Sequence, residues 1–216
     1  MALTLSVSLT HPEDKPLILA AEVIQAGGII VYPTETLYGI GCSAMHPRAL
    51  QRVQHLKKRP EPKPILVLVR SKEDLMPLVR EIPESAETLM NAFWPGPLTI
   101  VFLASDIVLP ELTQGKGSIG IRIPSCALCL KLLDLAGVPI TSTSANLSGD
   151  SPLDTIESMR SVLTPGIDLY LDAGTLPASK PSTVVDLTGP SPRILREGAV
   201  SLDALRAVLP APGVLW

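Results

Sequence analysis

Several stretches of this chain set short polar or basic side chains directly beside apolar runs, where a rigid scaffold could aim them at a ligand. "PTETLYG" (33–39) follows the apolar "GGIIV" and brings hydroxyls and a carboxylate. "HLKKRPEPK", His55 to Lys63, is the densest basic cluster, and Lys57 and Arg59 flank one residue just before Pro60. That pair could grip a phosphate, although a solvated helix end would use the same residues. "TSTSANLSG", Thr141 to Gly149, offers five hydroxyls and one amide after an apolar strand, suited either to binding an anion or to making a turn. "KPSTVVD" and "ILREG" put Ser182, Thr183 and Arg196 on neighbouring strands. Open α/β sheets bind ligands at such polar strand ends. Hydroxyls and a few basic groups without a base fit the holding of phosphate and carboxylate groups, and in-line transfer at phosphorus needs little beyond positioning.

Other chemistries lack their parts. Gly39-x-Gly41-x-x-Ala44 matches a relaxed dinucleotide fingerprint, but polar residues separate it from the strand and no acid stands about 20 residues on. Its glycines are read as permitting turns and close backbone approach. No P-loop pattern occurs, Ser144 has no nucleophile elbow, and the histidines are His11, His46 and His55 alone. Cys126 and Cys129 form a C-x-x-C inside a helical pattern with no second ligand pair, so they are read as buried small hydrophobes and no metal site is assigned.

The elements that must position these groups follow from periodicity. Apolar spacing predicts helices over Glu13–Ala26 with Gly27 and Gly28 as C-cap material, over "HPRALQRVQHLKK", after "SKED", and over "SAETLMNAFW", "SCALCLKLLDLAG", "TIESMRSVL" and Leu202–Leu209. Strands are predicted at Ile29–Tyr32, "PILVLV", "LTIVFLA", "SIGIRI", "VPITSTSA", "DLYLD", "STVVDLT" and "RILRE". Helices alternate with strands early and strands cluster late, which argues for an α/β fold with a mixed sheet covered by helices.

The 216 residues suffice for one large domain, and we read the chain as a single unit. With 46% hydrophobic and 18% charged residues it is globular in composition, but only 3% are aromatic, so the core must be aliphatic and stacking platforms for single strands are scarce. A net charge of -3 gives no whole-chain footprint for polyanions. The N-terminus carries no signal-peptide pattern and no run approaches the roughly 20 apolar residues of a membrane span, so a soluble cytoplasmic protein without membrane contact is expected.

Taken in order, "PTETLYGIG", "KKRPEPKPI", "WPGPLT", "GIRIP", "TSANLSG", "STVVD" and "ILREG" resemble the YrdC-like threonylcarbamoyl-adenylate synthases, in that family's order and at similar separations. The resemblance implies a twisted open mixed α/β sheet with a large concave site, filling residues 1–216 with a core of 13–200. It implies a nucleotidyltransferase that makes threonylcarbamoyl-AMP and pyrophosphate from L-threonine, bicarbonate or CO2, and ATP, with magnesium accompanying ATP. A downstream threonylcarbamoyl transferase complex would then use the product to modify tRNA. It further implies that Thr34, Arg122, Ser142 and Ser182 hold threonine, with Arg122 on its carboxylate, and that Lys57, Arg59, Ser144, Asn146 and Arg196 hold ATP, Lys57 and Arg59 acting catalytically. Ser43, Leu68 and Pro181 depart from that family's usual residues. The other reading is a YrdC-like module that binds double-stranded RNA, tRNA or ribosomal RNA through "HLKKR" without synthesis.

Overall fold

The computed structural model describes residues 2–57, 64–147, 149–163 and 165–209. Strand β1 (Leu3–Ser6) precedes helix α1 (Asp14–Gln25), whose buried Leu17, Ala20, Ala21 and Ile24 give the helical spacing read from the sequence. The helix stops at Ala26, and Gly27 turns the chain with a φ of 79°. A Cβ there would also lie 2.3 Å from His46 Nε2, so Gly27 is required twice over. Strand β2 (Ile30–Pro33) is buried along its whole length. Its side chains alternate between two core clusters: Ile30 and Tyr32 pack with α1, and Val31 packs on the other side.

The reading of Gly39 and Gly41 as turn residues is corrected here. Residues Tyr38–Gly41 form β3, antiparallel to β2, so "PTETLYGIG" is a hairpin. Gly39 and Gly41 lie inside a strand because neighbouring atoms press on it: a Cβ on Gly41 would sit 2.5 Å from Tyr32 Cε1 and 2.9 Å from Thr141 O. The close-approach half of the expectation holds and the turn half does not.

The chain continues through α2 (Pro47–Leu56), β4 (Val67–Leu68), α3 (Lys72–Leu75), a single 3₁₀ turn at Met76–Leu78 and α4 (Glu84–Phe93). Then come β5 (Leu98–Leu103), α5 (Pro110–Thr113), β6 (Ser118–Arg122) and α6 (Ala127–Ala136). The segment read as one strand from "VPITSTSA" is two short ones, β7 (Ile140–Thr141) and β8 (Thr143–Ser144). Helix α7 (Ile156–Leu163), β9 (Leu169–Asp172), β10 (Thr183–Asp186), β11 (Arg193–Arg196) and α8 (Leu202–Val208) complete the order.

The strands form a mixed α/β arrangement, as expected, divided by hydrogen bonding into two sheets: β1-β9-β2-β3-β8 and β11-β10-β5-β6-β4-β7. Parallel pairs (β1 with β9, β10 with β5) stand beside antiparallel ones (β2 with β3, β5 with β6). Helices α1 and α6 cover one side, where buried Leu128, Cys129, Leu132 and Leu133 meet Leu17 and Ile24. Cys126 and Cys129 are buried free thiols, as read. No helix among the described residues is long and apolar enough to cross a membrane.

Candidate functional site

The two sheets meet where β7 hands over to β8. Thr141 pairs with Val67 in the six-stranded sheet, Thr143 and Ser144 pair with Ile40 and Gly39 in the five-stranded one, and Ser142 lies between. The Ser142 N–H donates to Leu66 O at 2.8 Å, which fixes the crossover. A cavity of about 860 Å³ opens over this seam. Thr34 reaches it from the β2–β3 hairpin, Arg122 from the end of β6, and Ser142, Ser144 and Asn146 from the seam. Ser182 and Arg196 close it from β10 and β11. All these residues were singled out in the sequence, and separate segments of the chain bring them to one cavity.

The hairpin turn is organised by Thr34. Its Oγ1 accepts the N–H groups of Thr36 (3.1 Å) and Leu37 (3.2 Å) and donates to Leu37 O (2.7 Å), a side-chain copy of a backbone turn. The turn arches over Arg122, whose side chain is 3% exposed. Arg122 Nη1 lies 3.3 Å from Glu35 Oε1 and donates to Thr36 Oγ1 at 3.5 Å. Sequence reasoning missed Glu35. Its only available signal was a carboxylate inside a hydroxyl-rich turn, and its partner lies far along the chain.

Lys57, the C-cap residue of α2, stands behind the wall and does not line the cavity. It is 2% exposed, and its Nζ donates to Ser144 O (2.6 Å), Asn146 O (2.6 Å) and Asn146 Oδ1 (2.9 Å). Ser144 Oγ donates to Asn146 Oδ1 at 2.6 Å, and Asn146 Nδ2 donates to Asp150 O at 2.5 Å. "TSAN" is thus a turn built around a buried ammonium. Arg59 lies outside the described residues.

On the opposite wall, Arg196 donates from Nε to Ser182 O (3.0 Å) and from Nη2 to Ser182 Oγ (3.1 Å), while Ser182 Oγ contacts Thr99 Oγ1 at 3.0 Å. Burial, followed by the charge of Arg122, lowers the Arg196 guanidinium from its ordinary pKa. Two cations thus face the same space, and a bound anion would relieve their repulsion. Thr183, beside Ser182, anchors the loop after β11: its Oγ1 donates to Val200 O (2.6 Å) and accepts from Gly198 N (2.9 Å) and Val200 N (3.0 Å).

The far end of the cavity, unassigned in the sequence, carries Lys116, Asp186 and Arg193. Burial works to raise the Asp186 carboxyl, but hydrogen bonds from Thr188 and Arg193 prevail and hold it below the usual carboxylate value. The departing residues are ordinary here: Ser43 Oγ accepts from Met45 N, Leu68 is core, and Pro181 O accepts from Ala199 N. Among the described residues no group of His, Cys, Asp and Glu could cage a metal ion, and the carboxylates on the cavity are Asp150 and Asp186.

The family model described as "Telomere recombination" (Sua5, yciO, yrdC) matches residues 22–198. A "Threonylcarbamoyl-AMP synthase" of Pyrococcus abyssi is 36% identical over 197 residues, covering 91% of this chain but only 58% of the archaeal protein. A "Threonylcarbamoyl-AMP synthase" of Vibrio campbellii is 36% identical over 179 residues, covering 82% of this chain and 96% of its own length. The crystal structure of P. abyssi Sua5 complexed with L-threonine superposes with a TM-score of 0.91 at 32% identity, over 100% of this chain and 62% of that one. The protein belongs to the Sua5/YciO/YrdC family.

Proposed function

We propose that this protein is an L-threonylcarbamoyladenylate synthase, converting L-threonine, bicarbonate or CO2, and ATP into threonylcarbamoyl-AMP and pyrophosphate. One observation carries the reading. A single cavity of about 860 Å³ has room for an amino acid beside a nucleotide, and its wall presents Arg122 and Arg196 among short hydroxyls. The name and the bound threonine of the P. abyssi relative point the same way.

In this reading Arg122 receives the threonine carboxylate, with Thr34, Ser142 and Ser182 around the rest of the amino acid. Ser144, Asn146 and Arg196 receive ATP, Lys57 acts by holding the 144–146 turn in place, and Arg59 meets the phosphates. The amine captures CO2 as a carbamate, losing a proton, and the carbamate oxygen attacks the α-phosphorus as pyrophosphate leaves in line. Both partners are anions, so the work of the site is to bring them together and offset their charge. With no carboxylate cage among the described residues, magnesium would enter with ATP and offset the charge of its phosphates. The product is a mixed anhydride, suited to transfer onto tRNA by a downstream threonylcarbamoyl transferase complex.

The test is direct. Purified protein given ATP, magnesium and bicarbonate should release pyrophosphate only when L-threonine is added. Release that ignores threonine, or no release at all, would refute the assignment.

A further inference from the structure

Arg122 is a buried cation whose hydrogen bonding is incomplete. Its Nε has no hydrogen-bond partner, and neither oxygen of Glu35 has one, although Glu35 Oε1 lies 3.3 Å from Arg122 Nη1. Both carboxylate oxygens are also shut off from solvent. Leaving such groups unsatisfied is costly, and in a native protein a catalytic or binding role is one of the explanations. The neighbouring groups show what holds this arrangement. Thr34 Oγ1 fixes the turn on which Glu35 sits, Thr36 Oγ1 accepts from Arg122 Nη1, and Arg122 O accepts from Val69 N. Backbone and hairpin are therefore fixed, and the guanidinium is held by one charge on its closed side while its side chain lines the cavity.

We infer that Glu35 is a positioning residue for the amino-acid substrate: by neutralising Arg122 from behind, it keeps the guanidinium turned so that the donors it does not use meet the substrate carboxylate. Glu35 itself does not touch the substrate, since its oxygens are covered. This role rests on the synthase reading and adds to it the residue that sets amino-acid affinity.

The experiment compares wild type, Glu35→Gln, Arg122→Gln and the double variant by threonine-dependent pyrophosphate release, by calorimetric titration with L-threonine alone, and by thermal melting. Glu35→Gln should raise the threonine KM and the calorimetric Kd by about tenfold, the scale of one charge-assisted hydrogen bond, with the ATP KM within about twofold. In the Arg122→Gln background the same substitution should add almost nothing, because its effect runs through Arg122. A purely structural role would lower kcat and melting temperature together without moving the threonine KM, and that pattern would overturn the inference. So would additive effects of the two substitutions. If wild type turns over but Glu35→Gln keeps the same threonine KM, only the positioning role falls. If wild type binds threonine but releases no pyrophosphate, the synthase reading falls and the calorimetric arm still decides the role of Glu35. If wild type neither binds nor turns over threonine, both fall.

Discussion

The Lys57 ammonium lies 2.6 Å from Asn146 O and 2.9 Å from Asn146 Oδ1, so the C-cap residue of one helix serves as the internal support of a turn distant in sequence. A charge buried to this extent persists because carbonyl dipoles replace its water shell. The turn, in exchange, keeps one geometry, and that geometry carries Ser144 and Asn146 onto the cavity wall.

Replacing that ammonium while keeping its stem isolates the effect. Lys57→Met should take the ammonium away from Asn146 O and Oδ1 and leave Ser144 O with the Asn146 N–H at 2.9 Å, at a cost of about 2–3 kcal/mol. For a chain of this size that corresponds to a fall in melting temperature of about 4–12 °C. The ATP KM should rise about tenfold, with the threonine KM changed less than about threefold. Steady-state pyrophosphate assays in each substrate, beside a melting curve, check both; an unchanged ATP KM would separate Lys57 from the nucleotide.

Thr183 offers a stability test removed from ligand contact. It is fully buried, and its hydroxyl satisfies the N–H groups of Gly198 and Val200 and donates to Val200 O. Thr183→Val keeps the shape and orphans all three, so it should lose about 2–4 kcal/mol in urea denaturation with an unchanged m value. Thr183→Ser, which retains the oxygen, should recover most of the loss.

How much of this was legible depends on whether the signal is local. The helix at Asp14–Gln25 and the strand at Leu98–Leu103 declare themselves through apolar period, because the residues that bury them are their own. Strand β3 was hidden, since alternating glycines at Gly39 and Gly41 look like turn material until Tyr32 and Thr141 O are seen pressing against them. The change of sheet at Ser142 was equally invisible, because which sheet accepts a strand is settled by β4 and β3, not by "TSTSAN" itself. Arg196 could be named from its polar strand end, and Thr34 and Ser144 from the resemblance carried by the ordered motifs. Their partners Leu37, Lys57 and Ser182 could not all be, and Glu35 was missed for the same reason: an ion pair is a property of two distant positions.

Glycine placement gives a paired prediction. Gly41→Ala would drive a Cβ to 2.5 Å from Tyr32 Cε1 and 2.9 Å from a backbone oxygen, and backbone cannot step aside cheaply. Overpacking of this kind should cost about 3 kcal/mol. Gly120→Ala meets nothing closer than Thr99 Cγ2 at 3.4 Å, so it should be neutral or stabilising by about 0.5–1 kcal/mol, from lost backbone entropy in the unfolded chain. The denaturant midpoint should fall for Gly41→Ala and hold or rise for Gly120→Ala; equal losses would mean that β6 has less room than its neighbours indicate.

Alkaline pH should unfold this protein through groups at the base of the hairpin. Burial pushes the Cys42 thiol from 9.0 up to about 11, and burial likewise pushes the Tyr38 phenol from 10.0 up to about 12. Burial also raises Tyr32 and Cys129. Each is an acid kept neutral by the fold and free to ionise once unfolded. Its contribution is therefore complete below the unfolded pKa and is lost as pH climbs through the folded one. Stability should hold up to about pH 9, then decline, first through Cys42 and then through Tyr38, as far as about pH 12. Cys42→Ala should flatten the decline between about pH 9 and 11 by up to one proton of slope, and Tyr38→Phe should flatten it between about pH 10 and 12. Tyr38→Phe also lowers the whole curve, because the phenol donates to Gly174 O at 2.7 Å and accepts from Ala173 N at 2.9 Å. Urea midpoints measured from pH 7 to pH 11.5 distinguish these effects: a curve shifted down but parallel to wild type would show that the phenol titrates as freely in the fold as in the unfolded chain.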